Sequence, residues 1–483
     1  MKASIAILTL AATAAAALQY EGLRSEWLQH RITLKGLLRH TDNLQKFATQ
    51  HNGTRVFGSE GHQLTLDYIR SIVERSGYEV TLQEFSAPYS ETKTEKLSAN
   101  GKEYEIGAMT LTASTPESGL TAPVVLVQGV TGDGCTAEEF SGVELKGKIA
   151  LIERGGCAFN DKSVNASKYG AVATIIYNNS PGSLKGTLGA EGTSTIPTGG
   201  ISQESGKELI ELLKKGEVVA TLNLVELREN RKTYNIIAET KGGDPKNVIM
   251  LGAHTDSVRA GPGINDNGSG SSALLEIAYQ FRHIRPKNKV RFGWWSSEEF
   301  GLLGSEHYVK SLTHTDVDNI AVILNFDMLA SPNYIIRTYN GDSSGEPVPA
   351  GSEVITKLFE DHFKAKDIVY ESSVVPYSRT DVGPFAEVGI PSGGLDTGAD
   401  EIKTEEQAEK FGGKAGEALD QCYHLACDTT ANLAHGAFLI NARSIAHAVA
   451  VYSHDVSSVS KARASQGAST ASKRSYGRRV PLI

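Results

Sequence analysis

Val248-Ile-Met-Leu-Gly-Ala-His254-Thr-Asp256-Ser, followed after a short glycine-rich link by Asn265-Asp266-Asn267-Gly-Ser-Gly-Ser-Ser272, is the stretch on which the fold is read. Val248 to Leu251 is a continuous apolar run, the pattern of a strand buried on both faces of a parallel sheet. His254 and Asp256 are two positions apart, so on extended chain they project to one side. They do so at the strand's carboxyl end, where open α/β sheets hold their ligands. Asp266 lies in the glycine-rich loop that leads into the apolar helix Ala273-Leu-Leu-Glu-Ile-Ala.

Two further apolar runs end in the same manner. Val290 to Trp295 leads into Ser296-Ser-Glu298-Glu299, and Ala321 to Phe326 leads into Asp327. Adjacent side chains at a strand end diverge, so of two neighbouring acids one suits a metal and the other a water beside it. Tyr423-His424 stands between Cys422 and Cys427. His254, Asp266, Glu299, Asp327 and His424 together are two imidazoles and three carboxylates, a borderline donor set suited to zinc. Three carboxylates and a bridging hydroxide would balance the charges of two Zn²⁺, so such a site can be buried. Around these runs, helical and strand patterns alternate from Tyr234 to Ser453, which implies a mostly parallel, mixed sheet covered by helices on both faces.

The rest of the chain sets bounds on this α/β reading. With 483 residues, two domains are expected. A net charge of −8 argues against nucleic acid as a partner. Residues 1–17 have a positive start, a short apolar core and small residues at the end, the pattern of a secretory signal. Residues 111–228 read as an inserted smaller α/β domain: their strands and helices carry no cluster of histidines and acids. Residues 18–110 and 229–455 then form the two segments of the main domain, and 456–483 a disordered basic tail. The 4 cysteines are even in number, as disulfides in an exported chain require. Pairing Cys135 with Cys157 and Cys422 with Cys427 is the most economical of three connectivities. Asn52, Asn165 and Asn178 match the glycosylation pattern. Secretion is the expected destination, with the vacuole lumen as the alternative.

The ordered set His-x-Asp, Asn-Asp-Asn-Gly-Ser-Gly, Ser-Glu-Glu-x-Gly-Leu-Leu-Gly-Ser, Asn-x-Asp-Met and Tyr-His-x-x-x-Asp closely resembles the two-zinc aminopeptidases of the aminopeptidase Y family. Arg55-Val-Phe-Gly-Ser-Glu-Gly-His62 looks like that family's amino-terminal region, and Leu151-Ile-Glu-Arg-Gly-Gly-Cys-Ala-Phe is similar to a protease-associated (PA) domain. The resemblance implies that His254 and Asp327 bind one zinc, Glu299 and His424 the other, and Asp266 both. It implies Glu298 as general base, Tyr423 as a donor to the oxyanion, and Asp256 as the residue that orients His254. It implies a Cys422–Cys427 disulfide that holds the His424 loop. The expected substrates are peptides or proteins with a free amino terminus; neither nucleic acid nor membrane is an expected partner, and a monomer is the expected state. Where the family often has Arg-Ser-Asp-His-x-Pro-Phe, this chain has Arg379-Thr-Asp-Val382-Gly-Pro-Phe385.

Two rivals use the same residues. A two-zinc carboxypeptidase needs a basic pocket for the substrate carboxylate, for which Arg379 is the one candidate. A receptor-like relative without metals would not keep all five ligand types and Glu298. The loop at Gly261 lacks the Gly-Lys-Ser/Thr ending of a phosphate loop. Gly341-Asp-Ser-Ser-Gly345 matches a serine-hydrolase elbow but precedes Glu-Pro-Val-Pro rather than a helix.

Overall fold

A computed structural model describes residues 25–127, 133–188, 195–340 and 348–467. The expected signal, the Gly341–Gly345 motif and the basic end beyond 467 lie outside the described residues. The chain divides into two compact units: Pro88–Arg231, and the flanking segments up to Ala87 and from Lys232. These boundaries lie outside the expected 111 and 228, because two long strands carry the chain across them. Strand β1 (Glu79–Ala99) leads out. There follow β2 (Lys102–Tyr104), β3 (Gly107–Ala108), β4 (Leu120–Leu126), β5 (Ile149–Glu153), β6 (Ala173–Tyr177) and β7 (Thr198–Ile201), and β8 (Val219–Glu239) leads back. The polar run Arg228 to Lys232 breaks the apolar alternation, yet it stays extended, with its side chains largely in solvent.

In the inserted unit, β4 to β7 are parallel neighbours, flanked by antiparallel β8 and β3. Its core gathers Val124, Ile149, Leu151, Ile175, Leu209 and Leu222. Cys135 and Cys157 form a disulfide there. The side-chain amides of Asn165 and Asn178 donate to backbone carbonyls, and Asn178 is buried. Of the three expected glycosylation positions, Asn178 is thus buried, Asn165 half-buried and Asn52 exposed.

The main unit continues with β9 (Asp244–His254), β10 (Asn288–Trp295), β11 (Ile320–Phe326), β12 (Arg337–Asn340), β13 (Glu371–Val374) and β14 (Ser392–Asp396). Its strand order is β13-β12-β14-β11-β9-β10-β8. β9 is parallel to both β10 and β11, with His254 opposite Trp295 and Gly252 opposite Asn325. This register brings three carboxyl ends to one edge of the sheet. Ile249, Leu251 and Ala253 pack with Leu274, Ile277, Phe359 and Ile445. Val248 and Met250 pack with Tyr308, Val317 and Phe385. Both faces are therefore covered, as the uninterrupted apolar run requires, and each fully buried side chain of this size contributes about 1.5–3 kcal/mol.

Thr33 accepts from the Gly36 N–H and starts the helix Leu34–Gln50. One reading is corrected. The expected tail is not disordered from 456: Ser457–Gly467 is helical, with Val456 and Val459 buried in the core. Two apolar side chains in a polar segment suffice to dock it.

Candidate metal centre

Three strand ends and two loops meet at the edge built by β9, β10 and β11. β9 ends on His254, which is fully buried. β10 leads into a short turn, Glu298–Phe300, preceded by Ser297 in the left-handed region (φ 64°). β11 is followed by Asp327 and by Met328, also left-handed (φ 49°). His424 has φ 58° and lies inside the Cys422–Cys427 disulfide loop. Non-glycine residues in this region cost about 1–3 kcal/mol each, and three of them at one edge mark a site where geometry overrides local preference.

The sequence Asn265-Asp266-Asn267 divides its work among three residues. Asn265 donates its amide to Asp420 (2.6 Å) and Ser331 (3.1 Å) and accepts from the Ala330 N–H. Asn267 caps the helix Gly268–Phe281 and donates to the carbonyl of Phe326. Asp266 is left to face the site. Asp428 holds the backbone behind it, accepting from the N–H groups of Asn265 (2.8 Å) and Asp266 (3.0 Å).

Asp266 points its two oxygens at two different partners. Oδ1 lies 3.2 Å from His254 Nε2, and Oδ2 lies 3.1 Å from His424 Nε2. His254 Nε2 is also 3.3 Å from Asp327 Oδ2 and 3.7 Å from Glu298 Oε2, while His424 Nε2 is 3.0 Å from Glu299 Oε2. The five residues expected to bind metal are thus brought together, with Glu298 beside them. Ligand atoms of His254, Asp266 and Glu299, and separately those of His254, Glu298 and Asp327, all lie within 4.8 Å of one another. Asp256 is 3.7 Å from His254 Nδ1, and its Oδ1 also accepts the Glu298 N–H at 3.1 Å. It therefore fixes the turn that carries the two glutamates as well as facing the imidazole.

The electrostatics are those of a site built for cations. Burial pushes Glu299 up to about 7, with Asp266 adding repulsion. Burial likewise raises Glu298 well above the ordinary carboxylate range and raises Asp327. Burial opposes charge on His424, but its bonds to Asp266 and Glu299 prevail and lift it to about 11. Around His254 Nε2, three carboxylates compete for one proton. His254 Nε2, Asp327 Oδ1 and Glu299 Oε1 are buried without a well-formed hydrogen bond. Divalent cations beside Asp266 would satisfy these groups, and the donor set fits zinc. The Tyr423 ring stacks on His424 at 3.8 Å, and burial followed by the nearby acids keeps its hydroxyl protonated. His424 is the most exposed of the five ligand candidates, with 39% of its side chain open to solvent.

Sequence reading missed one acid of the cluster. Asp381 is buried, and burial raises it to about 7. Its neighbour Val382, the departure from the family pattern, packs with Tyr339, Tyr377 and Ala386 in a separate apolar cluster. Arg379 is exposed.

Comparison with known proteins agrees with this geometry. Residues 235–449 match the model of peptidase family M28, and residues 120–209 match the PA domain. The chain is 44% identical over 433 residues to leucine aminopeptidase 2 of Trichophyton rubrum, covering 89% of this chain and 86% of that one. It is 45% identical over 429 residues to leucine aminopeptidase 2 of Arthroderma otae, covering 88% and 85%. Among solved structures, an aminopeptidase from Aneurinibacillus sp. strain AM-1 aligns with a TM-score of 0.71 at 27% identity, covering 89% of this chain and 95% of that one. BSAP, a zinc aminopeptidase from Bacillus subtilis, aligns with a TM-score of 0.64 at 26% identity, covering 86% and 94%. Sequence identity of this extent, over a chain whose second segment carries the family's own pattern, means that the protein belongs to peptidase family M28, with a PA domain inserted in it.

Proposed function

We propose that this chain is a two-zinc aminopeptidase that removes amino-terminal residues from peptides and proteins outside the cytosol. The observation that carries the reading is the division of Asp266 between two ligand pairs. One of its oxygens faces His254 beside Asp327, and the other faces His424 beside Glu299. His254 and Asp327 would hold one ion, Glu299 and His424 the other, and Asp266 would contribute to both. Two Zn²⁺ held there would supply Lewis acidity to a carbonyl and lower the pKa of water.

The remaining steps fall to the chain's own side chains. Glu298 takes a proton from the attacking water and hands it to the leaving amine; its carboxylate lies 3.7 Å from His254 Nε2, beside the ligand candidates without being one of them. Tyr423, kept protonated, donates its hydroxyl to the oxyanion that develops on the substrate carbonyl. Asp256 holds the Glu298 backbone so that the base stays in reach. Export is supported by the signal pattern of residues 1–17, by two disulfides, and by the absence, among the described residues, of a helix long and apolar enough to cross a membrane.

Relatives at 44–45% identity are named leucine aminopeptidases, so a leucyl anilide is the first substrate to use. The free anilide is expected to be cleaved and its amino-blocked form left intact. Release of carboxyl-terminal residues from a blocked peptide would instead establish the carboxypeptidase alternative.

A further inference from the structure

Arg55 has its guanidinium fully buried. It belongs to the segment Arg55-Val-Phe-Gly-Ser-Glu-Gly-His62, which has no part in the steps above. Its Nε donates to the carbonyl of Pro262 at 2.8 Å, and its two terminal nitrogens donate to the carbonyls of Thr255 and Gly263. All three acceptors lie on the link between His254 and Asp266. The Arg55 N–H donates to Ser257 Oγ at 2.9 Å, and the Ser257 N–H returns a bond to the Arg55 carbonyl at 3.3 Å. The Ser257 hydroxyl in turn donates to the Gly261 carbonyl at 3.0 Å. At Gly263 (φ 60°), an added Cβ would stand 2.2 Å from the Asp266 carbonyl oxygen. The link is thus closed tightly against the residue that faces both ligand pairs. Other residues of the segment reach the same edge: His62 Nε2 lies 2.9 Å from Thr255 Oγ1, and Phe57 packs edge-on against Phe300, the neighbour of Glu299.

A planar guanidinium presents donors in a fixed fork, whereas an ammonium is a compact charge on a flexible stem. Three inward-turned carbonyls on one loop call for the fork. Burial pushes Arg55 down to about 10, so it remains charged at neutral pH, and Asp256, Asp428, Asp266 and Glu299 feel that charge through space.

We infer that Arg55 is a positioning residue of the metal centre: by clamping the 255–263 link it fixes Asp266 relative to His254, and so sets the spacing of the two cation positions. This rests on the two-cation reading above. The test strips the full chain with a chelator and titrates it with Co²⁺, reading visible absorption and low-temperature spin coupling. Wild type is expected to take up two ions that couple. Arg55→Lys keeps the charge and loses the fork; it should bind the second Co²⁺ about 10–100-fold more weakly, lose coupling, and lose kcat with KM little changed. Ser257→Ala, which loosens the same link without touching a buried charge, should shift in the same direction by less. It carries the test alone if Arg55→Lys does not fold. Wild type that binds two ions, with the folded variants matching it in affinity and coupling, overturns this proposal alone. Wild type that binds fewer than two overturns the two-cation reading and this inference with it.

Discussion

Glu298 and Glu299 are adjacent, similarly buried and alike in chemistry, yet only one of them is within 3.0 Å of His424. The left-handed Ser297 and the bond from the Glu298 N–H to Asp256 aim them apart. Glu298→Gln keeps size and hydrogen bonding but cannot carry a proton. It should retain its cations and lose about 10²–10⁴-fold in kcat, seen by turnover measured alongside metal content. Unchanged turnover would remove Glu298 as the base. At this scale the sequence was informative where a residue's role follows from its own place in the chain. His254, Asp327 and the glutamate pair are legible because each ends an apolar run, whereas Asp266 and His424 lie in loops and owe their expected roles to the family resemblance. Asp381 and Arg55 were not legible as parts of the site. Nothing local distinguishes a buried acid from an exposed one, and the partners of Arg55 lie some 200 positions away.

Among elements, the loop from Cys422 to Asp428 bears the most on the site. It offers Tyr423 and His424 to the centre, while Asp428 at its end grips the backbone of Asn265 and Asp266. One loop thereby carries one ligand candidate and holds a second in place. Asp428→Asn leaves one oxygen for two N–H groups and turns a donor toward the other. Its cation affinity should fall about 10–100-fold, measured by competition with a chromogenic chelator, and its stability by about 1–3 kcal/mol. Affinity equal to wild type would show that the loop does not brace Asp266. The parallel strands, being continuous apolar runs, were legible almost to the residue: the run Val290 to Trp295 was expected and the strand Asn288–Trp295 is found. The long crossings β1 and β8 were not, because their solvent-facing stretches carry no apolar pattern and are held by pairing with distant strands.

For the molecule as a whole, the cost of gathering these acids appears when the cations are removed. In the folded metal-free protein, burial holds Glu299, Asp381 and Asp428 up to about 7. His424 stays protonated to about 11. All four lie above their unfolded values, so the stability they contribute is present at low pH; the acids lose theirs as pH rises from about 4 to about 7, and His424 alone goes on losing its share between about 6.5 and 11. Buried His62 and His362, pushed down to about 4, act in the opposite sense, but their contribution is complete by about pH 6.5. The chelated protein should therefore melt at progressively lower temperature from about pH 7 to pH 9. The cation-loaded protein, which uses ionised acids and neutral imidazole, should not. Parallel melting curves across that range would contradict the assignment. The most direct test is diffraction at the zinc absorption edge from crystals grown with zinc. Two anomalous peaks about 3.5–4 Å apart are expected, one beside His254 and Asp327, the other beside Glu299 and His424, with Asp266 touching both. A single peak, or peaks not bridged by Asp266, would contradict the account.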